Sequence, residues 1–248
     1  MTDIADRILA VKDRRVARLT INNPDKRNCV SLAMWERIGD IFEEWSLDPD
    51  VRVIVVTGAG NKCFCAGADI REFVKVRRTP RQIAHYEAVF DRAIHNIGQA
   101  PKATIARIDG ACIGGGFELA MACDLIIAAD HVEFGLPEMP LGIVPDAGAL
   151  QRLPRLIPRN IATEMFLLGR RMTASEAAHY GLVNKIVPSN QLMELARKWA
   201  EQLAKSAPLA LQSVKEVERE IECMPLEKSF KKMRTENLPT YRRMLQSS

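Results

Sequence analysis

The sequence predicts an α/β fold in which strands and helices alternate around a largely parallel sheet. Three observations favour this class. The runs "VRVIVVTG" and "KATIARIDG" have the β-branched composition of buried strands. The segment "LAMWERIGDIFEEW" repeats its apolar residues at helical spacing. Strands and helices of this kind alternate through about the first 150 residues, which is typical of a layered α/β architecture.

The first half of the chain can be predicted element by element. Two strands, "ILAVKD" and "RVARLTIN", come first, and "NNPDK" follows them as a turn signal. Ser31 is placed to cap the helix "LAMWERIGDIFEEW". The buried strand "VRVIVVTG" and the loop "AGNKCFCAGAD" come next, and a charged helix is predicted from about Thr79 to Gly98.

The second half begins with the strand "KATIARIDG". The glycine-rich stretch "CIGGGFELA" then leads into a short helix, and "CDLIIAAD" is a further strand. After "FGLPEMPLGIVPDAG" the pattern changes, and from about Leu150 onward it predicts helices only, with Thr173 and Ser189 as N-caps. We therefore expect an α/β body followed by a helical C-terminal third.

Composition and charge exclude several classes of protein. The 248 residues carry a formal net charge of +4, from 35 Lys+Arg against 31 Asp+Glu, and 6% are aromatic. This balance is not typical of a nucleic-acid-binding protein. No stretch approaches the roughly 20 apolar residues of a membrane span, and an N-terminus with Asp3 and Asp6 does not resemble a signal or transit peptide. We expect a cytoplasmic protein with no nucleic-acid or membrane partner.

Motifs exclude several chemistries and leave carboxylates as the proton carriers. The stretch "VTGAGNKC" fails as a dinucleotide fingerprint because Cys63 stands at the third glycine position. The sequence contains no P-loop, no G-x-S-x-G and no H-E-x-x-H motif. The six cysteines lack paired spacing and the four histidines form no ligand set. We predict no metal site and interpret the cysteines as small apolar residues.

Two loops rich in glycine and alanine have a similar design. "CAGAD" (65–69) and "IGGGFE" (113–118) each follow a strand and lead into a turn or helix. Glycine allows a backbone to approach a ligand closely, and a helix N-terminus presents N–H groups without partners. Two such N–H groups, one from each loop, can converge on an oxygen that becomes negative during a reaction. This arrangement is an oxyanion hole.

"FCAGADI", "GGGFELAMACDL" and "FGLPEMPLGIVPDAGALQRLP" together resemble the crotonase (enoyl-CoA hydratase/isomerase) superfamily, and the resemblance covers nearly the whole chain. It implies the ClpP/crotonase-like spiral of ββα units, with an α/β core over 1–195 and a helical trimerisation region over 196–248. It also implies an acyl-CoA thioester substrate, homotrimers or hexamers of two trimers, and an oxyanion hole formed by the N–H groups of Ala68 and Gly115. No cofactor is implied, because coenzyme A is part of the substrate.

Glu118 and Glu138 are the candidate catalytic residues, since members that hydrate double bonds carry glutamates at both places. Adding water across C2=C3 requires one group that activates water and another that delivers a proton to C2. Two carboxyl groups with separated pKa values can divide this work. The apolar neighbours of Glu118 would raise its pKa by desolvation. The structural alternatives are a capping box closed by Glu118 and a surface loop position for Glu138.

The resemblance also implies a substrate-binding set: Lys26, Ala66, Asp69, Ile70, Arg71, Gly114 and Asp146. Lys26 and Arg71 would contact the phosphates of coenzyme A, or each could be a solvated surface cation. Asp69 and Asp124 are interpreted as hydrogen-bonding residues of a loop and a turn. We interpret one basic cluster as a solvated helix face: Lys75, Arg77, Arg78 and Arg81.

Asp146 departs from the common pattern, because family members often have "PGAGG" where this chain has "PDAGA". An aspartate at this place occurs in carnitinyl-CoA dehydratase-like members, whose substrates carry a cation. It also occurs in dienoyl-CoA isomerases, where it is a catalytic acid/base. "GIVPDAG" and "GRRM" are more similar to the first group. We interpret Asp146 as a substrate-positioning residue or, alternatively, as a direct acid/base.

The sequence therefore predicts an enoyl-CoA hydratase, a hydro-lyase that reversibly adds water in syn fashion to a 2-trans-enoyl-CoA, as in fatty-acid β-oxidation. The alternatives are a carnitinyl-CoA dehydratase, an enoyl- or dienoyl-CoA isomerase, and an acyl-CoA- or RNA-binding scaffold without catalysis. Two intact glutamates argue against the scaffold, and the dispersed basic charge argues against RNA. The resemblance also implies a further acidic, glycine-containing segment and a basic tail after the present C-terminus.

Overall fold

Two sheets built from alternating strands form the centre of the protein. The computed structural model describes residues 4–221, 224–225 and 227–231. The strands in these ranges are β1 Ile8–Asp13, β2 Val16–Ile21, β3 Val53–Gly58, β4 Cys63–Cys65, β5 Ala103–Ile108, β6 Ala111–Ile113, β7 Leu125–Ala129, β8 Glu133–Gly135, β9 Met172–Thr173 and β10 Lys185–Val187. The α-helices are α1 Ile4–Arg7, α2 Leu32–Leu47, α3 Phe73–Val76, α4 Pro80–Gln99, α5 Gly115–Ala122, α6 Ala149–Leu156, α7 Arg159–Leu168, α8 Ala174–His179, α9 Ser189–Ala204 and α10 Pro208–Ile221.

The sheet order reveals a repeated unit. Among the described residues, the larger sheet has the order β1-β2-β3-β5-β7-β10 and the smaller one β4-β6-β8-β9. Apart from the antiparallel pairs β1–β2 and β8–β9, neighbouring strands run parallel. The pairs β3–β4, β5–β6 and β7–β8 each place one strand in each sheet before a helical segment. This is the spiral of ββα units that was expected.

Two long helices pack against each other beside the sheets. The Ser31 hydroxyl caps α2 at its third N–H, at 3.3 Å. Thr79 and Gln82 form a capping box at the start of α4, so both predicted helix starts are confirmed. Trp35 of α2 and Phe90 of α4 bring their ring centroids to 4.6 Å. The buried faces of these helices therefore meet where α4 borders the smaller sheet's loops.

The C-terminal third is largely helical, but the expectation of helices only is wrong at two places. β9 pairs with β8 in the smaller sheet, and β10 pairs with β7 at the edge of the larger one. Both are too short to show a strand periodicity. Thr173 caps α8 as predicted, in a capping box with Glu176. Ser189 does not cap α9: it is the helix's first residue, after Pro188, and its hydroxyl donates to the Asp109 carboxylate at 2.8 and 3.0 Å.

The predicted boundary between residues 195 and 196 falls inside α9, which packs on β3, β5 and β7. α10 is joined to the same body by Lys215, whose ammonium lies 2.6 Å from the Asp124 carboxylate and 2.7 Å from the Lys102 carbonyl oxygen. The division into two regions and the trimerisation role of 196–248 stay predictions. Much of the end of that region lies outside the described residues.

The cysteines and the helices bear on two further predictions. Five cysteines are buried and free, as expected of small apolar residues: Cys29, Cys63, Cys65, Cys112 and Cys123. Cys223 lies outside the described residues. Across the helices of the described ranges, none combines the length and the apolar character that crossing a membrane requires.

Candidate active site

Two glycine-containing loops meet at the ends of β4 and β6. Gly67 and Gly114 have φ angles of +83° and +55°, which glycine adopts without a steric penalty. A Cβ on Gly67 would lie 3.0 Å from the backbone nitrogen of Gly115, and one on Gly116 would lie 2.5 Å from the carbonyl oxygen of Cys65. The loops can approach this closely only because the residues at their contact have no side chains.

The N–H groups of Ala68 and Gly115 both border one cavity. Among the described residues, neither of these N–H groups has a hydrogen-bond acceptor. Ala68 pairs with Val30 through its neighbours: the Val30 N–H donates to the Gly67 oxygen at 2.8 Å, and the Asp69 N–H donates to the Val30 oxygen at 2.9 Å. Gly115 is the first residue of α5, where N–H groups lack partners inside the helix. The pair thus has the free donors that an oxyanion hole requires.

The cavity between these loops, α4 and the segment after β8 has a volume of about 80 Å³. It is lined by eight of the predicted site residues: Ala66, Ala68, Ile70, Gly114, Gly115, Glu118, Glu138 and Asp146. This volume is well below the roughly 300–1,000 Å³ of sites that enclose whole drug-sized ligands, so it suits a short acyl group rather than a whole acyl-CoA. A larger cavity of about 890 Å³ lies between β1, β2 and α9 and is lined by none of the predicted site residues.

Glu118 lies on the first turn of α5 and is only 2% exposed. Within the described ranges its Oε1 atom has no hydrogen-bond partner. Burial, followed by the negative charges of Asp146 and Glu138, raises the pKa of Glu118 well above its usual value, whereas the backbone of Asp146 lowers it. The alternative capping box does not form, because the Gly114 N–H donates to the carbonyl oxygen of Gly135 at 2.9 Å.

Glu138 precedes the short 3-10 turn Met139–Leu141 and is half-buried. Its Oε2 atom is buried with no partner among the described residues, and its Oε1 atom lies 2.9 Å from the place of a Cβ on Gly114. Burial is the main cause that raises the pKa of Glu138 to about 7, and Asp146 adds to it. Burial also raises the pKa of Asp146, while the charge of Arg77 lowers it. Neighbouring carboxylates oppose one another's ionisation, and with a pKa of about 7 Glu138 is partly protonated and partly ionised near neutral pH.

The other predicted binding residues lie beside the cavity rather than on its wall. The Lys26 ammonium contacts the Asp69 carboxylate at 2.8 Å, and the Arg71 N–H donates to the other oxygen of Asp69 at 3.2 Å. Asp69 is therefore a turn hydrogen-bonding residue, as predicted, and so is Asp124, which accepts from the Thr104 N–H at 2.7 Å. Contacts of Lys26 and Arg71 with coenzyme A phosphates stay predictions.

Arg77 does not belong to a solvated helix face, which corrects the interpretation of the basic cluster. Its guanidinium carbon lies 4.8 Å from the ring centroid of Phe73 and 4.6 Å from that of Tyr86, and its side chain is 16% exposed. All three residues line the cavity. The rest of the cluster is exposed, as predicted: Lys75, Arg78 and Arg81. The sequence contains no signal for this difference, because it does not show how the end of α3, where Arg77 lies, packs against α4.

Known proteins resemble this chain in sequence and in fold. The family model described as Enoyl-CoA hydratase/isomerase matches residues 12–241. The chain is 39% identical over 232 residues to a carnitinyl-CoA dehydratase from Proteus mirabilis, covering 94% of this chain and 87% of that protein. A crystal structure of an enoyl-CoA hydratase from Bacillus anthracis superposes with a TM-score of 0.89 at 35% identity, covering 93% of this chain and 89% of that one. The crystal structure of an enoyl-CoA hydratase/carnithine racemase from Magnetospirillum magneticum superposes with a TM-score of 0.85 at 32% identity, covering 96% of this chain and 93% of that one.

The chain therefore belongs to the enoyl-CoA hydratase/isomerase family, the crotonase superfamily. Its fold is the crotonase fold, as predicted. The protein is a crotonase-type enzyme whose chemistry is of the enoyl-CoA hydratase/isomerase kind, and its substrate class is the acyl-CoA thioesters.

Proposed function

We propose that this protein is a hydro-lyase that reversibly adds water to a 2-trans-enoyl-CoA thioester. The main support is a convergence on one cavity. The buried Glu118 and the half-buried Glu138 face it, each with a carboxyl oxygen that has no partner among the described residues. The N–H groups of Ala68 and Gly115, which have no acceptor in the same part of the chain, face it as well. This set supplies the two proton carriers and the two oxyanion donors that hydration of an enoyl thioester requires.

Each group has a defined task in the hydration direction. The thioester oxygen would accept hydrogen bonds from Ala68 and Gly115, which withdraws electrons from C3. One carboxylate takes a proton from water as the water oxygen bonds to C3, and the negative charge moves to the thioester oxygen as an enolate. The other carboxyl group then delivers its proton to C2. Donors aimed at the developing charge typically contribute several kcal/mol of transition-state stabilisation each.

The raised pKa values of the two glutamates suit this division of work. A pKa of about 7 for Glu138, beside a Glu118 whose pKa is also raised well above its usual value, allows one ionised and one protonated carboxyl group at neutral pH. A double-bond isomerase needs only one carboxyl group to shuttle a proton between two carbons. The second carboxyl group therefore favours hydration.

A second, more specific candidate is a carnitinyl-CoA dehydratase, whose hydration substrate is crotonobetainyl-CoA. Relatives with that name are 38–39% identical to this chain over most of its length. Asp146 also borders the cavity, and a carboxylate there can balance the charge of a trimethylammonium group. We also expect a homotrimer or a hexamer, which light scattering of the purified protein would establish.

The experiment is the loss of conjugated-thioester absorbance when the enzyme is mixed with crotonyl-CoA, longer 2-enoyl-CoAs and crotonobetainyl-CoA. Hydration of at least one of them is expected, and hydration of none by the wild type would reject the proposal. The dehydratase candidate predicts that crotonobetainyl-CoA is preferred and that Asp146→Gly removes the preference while crotonyl-CoA is still hydrated. A preference for crotonobetainyl-CoA that survives Asp146→Gly would reject the proposed role of Asp146 in balancing the charge of the trimethylammonium group.

A further inference from the structure

Phe73 and Tyr86 form a corner of two aromatic faces in the wall of the cavity. Their ring centroids are 5.5 Å apart and the ring planes meet at 76°. The guanidinium carbon of Arg77 lies over both rings, at 4.8 and 4.6 Å from their centroids. A cation held over more than one aromatic face is the arrangement that recognises quaternary ammonium groups in aromatic cages.

The distance of this corner from the oxyanion loop matches a short acyl chain. Phe90 of α4 lies 3.2 Å from the place of a Cβ on Gly115. Tyr86 precedes Phe90 by four residues, so it lies about 6 Å further along the α4 axis. In a 4-(trimethylammonio)butenoyl group, four bonds separate the thioester carbon from the nitrogen, which is roughly 5 Å at standard bond lengths. An acyl group whose thioester carbonyl lies at Gly115 can therefore place the substituent on its fourth carbon at the corner.

Arg77 is weakly held where it lies. It is the residue after α3, outside the regular turns, and its only carboxylate contact in the described ranges is with Glu87 at 3.4 Å. That distance is long for a charge-assisted hydrogen bond. The partial exposure of its side chain gives the guanidinium a path to solvent.

The negative charges around the corner favour another cation at this place when Arg77 leaves it. Asp91 and Glu87 place negative charge near Asp146, and Glu72 adds a further negative charge near Tyr86. Arg77 is the cation that stabilises the ionised form of Asp146. If Arg77 leaves and a cationic group enters, the net charge of the corner is unchanged. A neutral group leaves the carboxylates uncompensated, and an anionic group meets Asp146.

Tyr86 provides an independent indication that the corner receives a ligand. The residue is 2% exposed, and among the described residues its hydroxyl forms no hydrogen bond of good geometry. Burial raises the pKa of Tyr86, and the nearby indole N–H of Trp35 lowers it by a smaller amount. A buried hydroxyl without a partner is destabilising. The hydroxyl oxygen can instead face the polarised methyl groups of a quaternary ammonium.

We propose that the Phe73–Tyr86 corner is the receptor for a quaternary ammonium group at the end of the acyl chain, and that Arg77 occupies this receptor until the substrate displaces it. The inference rests on the proposed hydratase function and narrows its substrate class to acyl-CoAs with a cationic end. It assigns specificity to the segment between α3 and α4 rather than to the catalytic glutamates.

Saturated acyl-CoAs test this proposal without turnover, because they have no double bond to hydrate. Calorimetry would compare 4-(trimethylammonio)butanoyl-CoA with its neutral isostere, 5,5-dimethylhexanoyl-CoA, in which carbon replaces nitrogen. We expect the wild type to prefer the cation by roughly 5- to 30-fold, from the strength of desolvated cation–π contacts. Phe73→Leu and Tyr86→Leu should each reduce that ratio several-fold, while Tyr86→Phe, which keeps the ring and loses only the weak contact of the hydroxyl, should retain most of it. Unchanged affinity for the isostere shows that each variant is folded.

Arg77→Gln tests the displacement step, with Arg81→Gln as the matched control because Arg81 is exposed and contacts neither ring. Removing the competitor should tighten binding of the cationic analogue several-fold, and the control should leave it unchanged. A cation affinity that falls in Arg77→Gln overturns the displacement role.

Four other outcomes are decisive. Equal binding of the two analogues by the wild type, or a cation preference that survives both leucine variants, overturns the receptor. A preference for glutaryl-CoA that is lost in Arg77→Gln makes Arg77 a carboxylate receptor and also overturns it. Failure of the wild type to bind any of the three acyl-CoAs contradicts the proposed hydratase function itself, so the two failures are distinguishable.

Discussion

Replacing Gly114 with alanine tests how the oxyanion loop positions Glu138. Gly114 precedes α5 with φ +55° and ψ −129°, a region that residues with a side chain rarely enter. A Cβ at this place would lie 2.9 Å from the Oε1 atom of Glu138, and an ordinary contact begins at 3.4 Å. The carboxyl group must therefore withdraw by about 0.5 Å, measured against the ordinary distance.

Two effects of Gly114→Ala can be given magnitudes. The backbone conformation should lower the free energy of unfolding by about 1–3 kcal/mol. Because a misplacement of about 1 Å can cost about a hundredfold in rate, a shift half as large should lower kcat roughly tenfold. Gly181→Ala is the control, since Gly181 also has a positive φ, of +83°, but has no atom within 4 Å of the place of a Cβ.

The assay is kcat for hydration at saturating substrate, together with the Tm of the same preparations. Both variants should have a lower Tm, and only Gly114→Ala should have a lower kcat. The reasoning is refuted if Gly114→Ala hydrates at the wild-type rate, or if Gly181→Ala loses as much activity.

Charges in the cavity and at α10 give three further expected outcomes. Asp146→Asn removes a like charge, so the pKa values of Glu118 and Glu138 should fall and the pH profile of kcat/KM should move to lower pH; a profile that stays in place would contradict this. Glu138 is protonated below its pKa of about 7 and must ionise in a partly buried site above it, which destabilises the fold at high pH. Glu138→Gln should therefore raise Tm more at pH 8 than at pH 5, and an equal change at both pH values would contradict this pKa. Asp124→Asn leaves Lys215 buried without its counter-charge, so the free energy of unfolding measured in urea should fall by about 2–3 kcal/mol. An unchanged free energy would show that this ion pair does not stabilise the protein.

Local rules explain which elements the sequence predicts correctly. The caps at Ser31, Thr79 and Thr173 depend on hydrogen bonds within one turn, so the residues beside them are sufficient evidence. Ser189 follows the same local pattern but bonds to Asp109, 80 residues earlier, which no local rule can anticipate. β9 and β10 likewise exist because a neighbouring strand offers free edges, not because of their own composition.

The residues of the candidate site likewise divide into those that the sequence predicts and those that depend on packing between elements. The glycine loops could be predicted because a close backbone approach requires residues without side chains, and Gly67 and Gly116 do touch the opposite loop. Arg77 could not be distinguished from its exposed basic neighbours, since its contacts with Phe73 and Tyr86 depend on how α3 turns against α4. Specificity of this kind arises from packing between elements.

The central claim is that Glu118 and Glu138 divide the two proton transfers of hydration between them, one taking a proton from water and the other delivering a proton to C2. Hydration rates of Glu118→Gln, Glu138→Gln and the double variant, each at saturating enoyl-CoA, test it most directly. Each single substitution should lower kcat by about 10²–10⁴, the usual contribution of a general acid or base. The double variant should be little slower than the slower single one, because residues that act as a unit are not additive. Near-wild-type turnover by either single variant would contradict the claim.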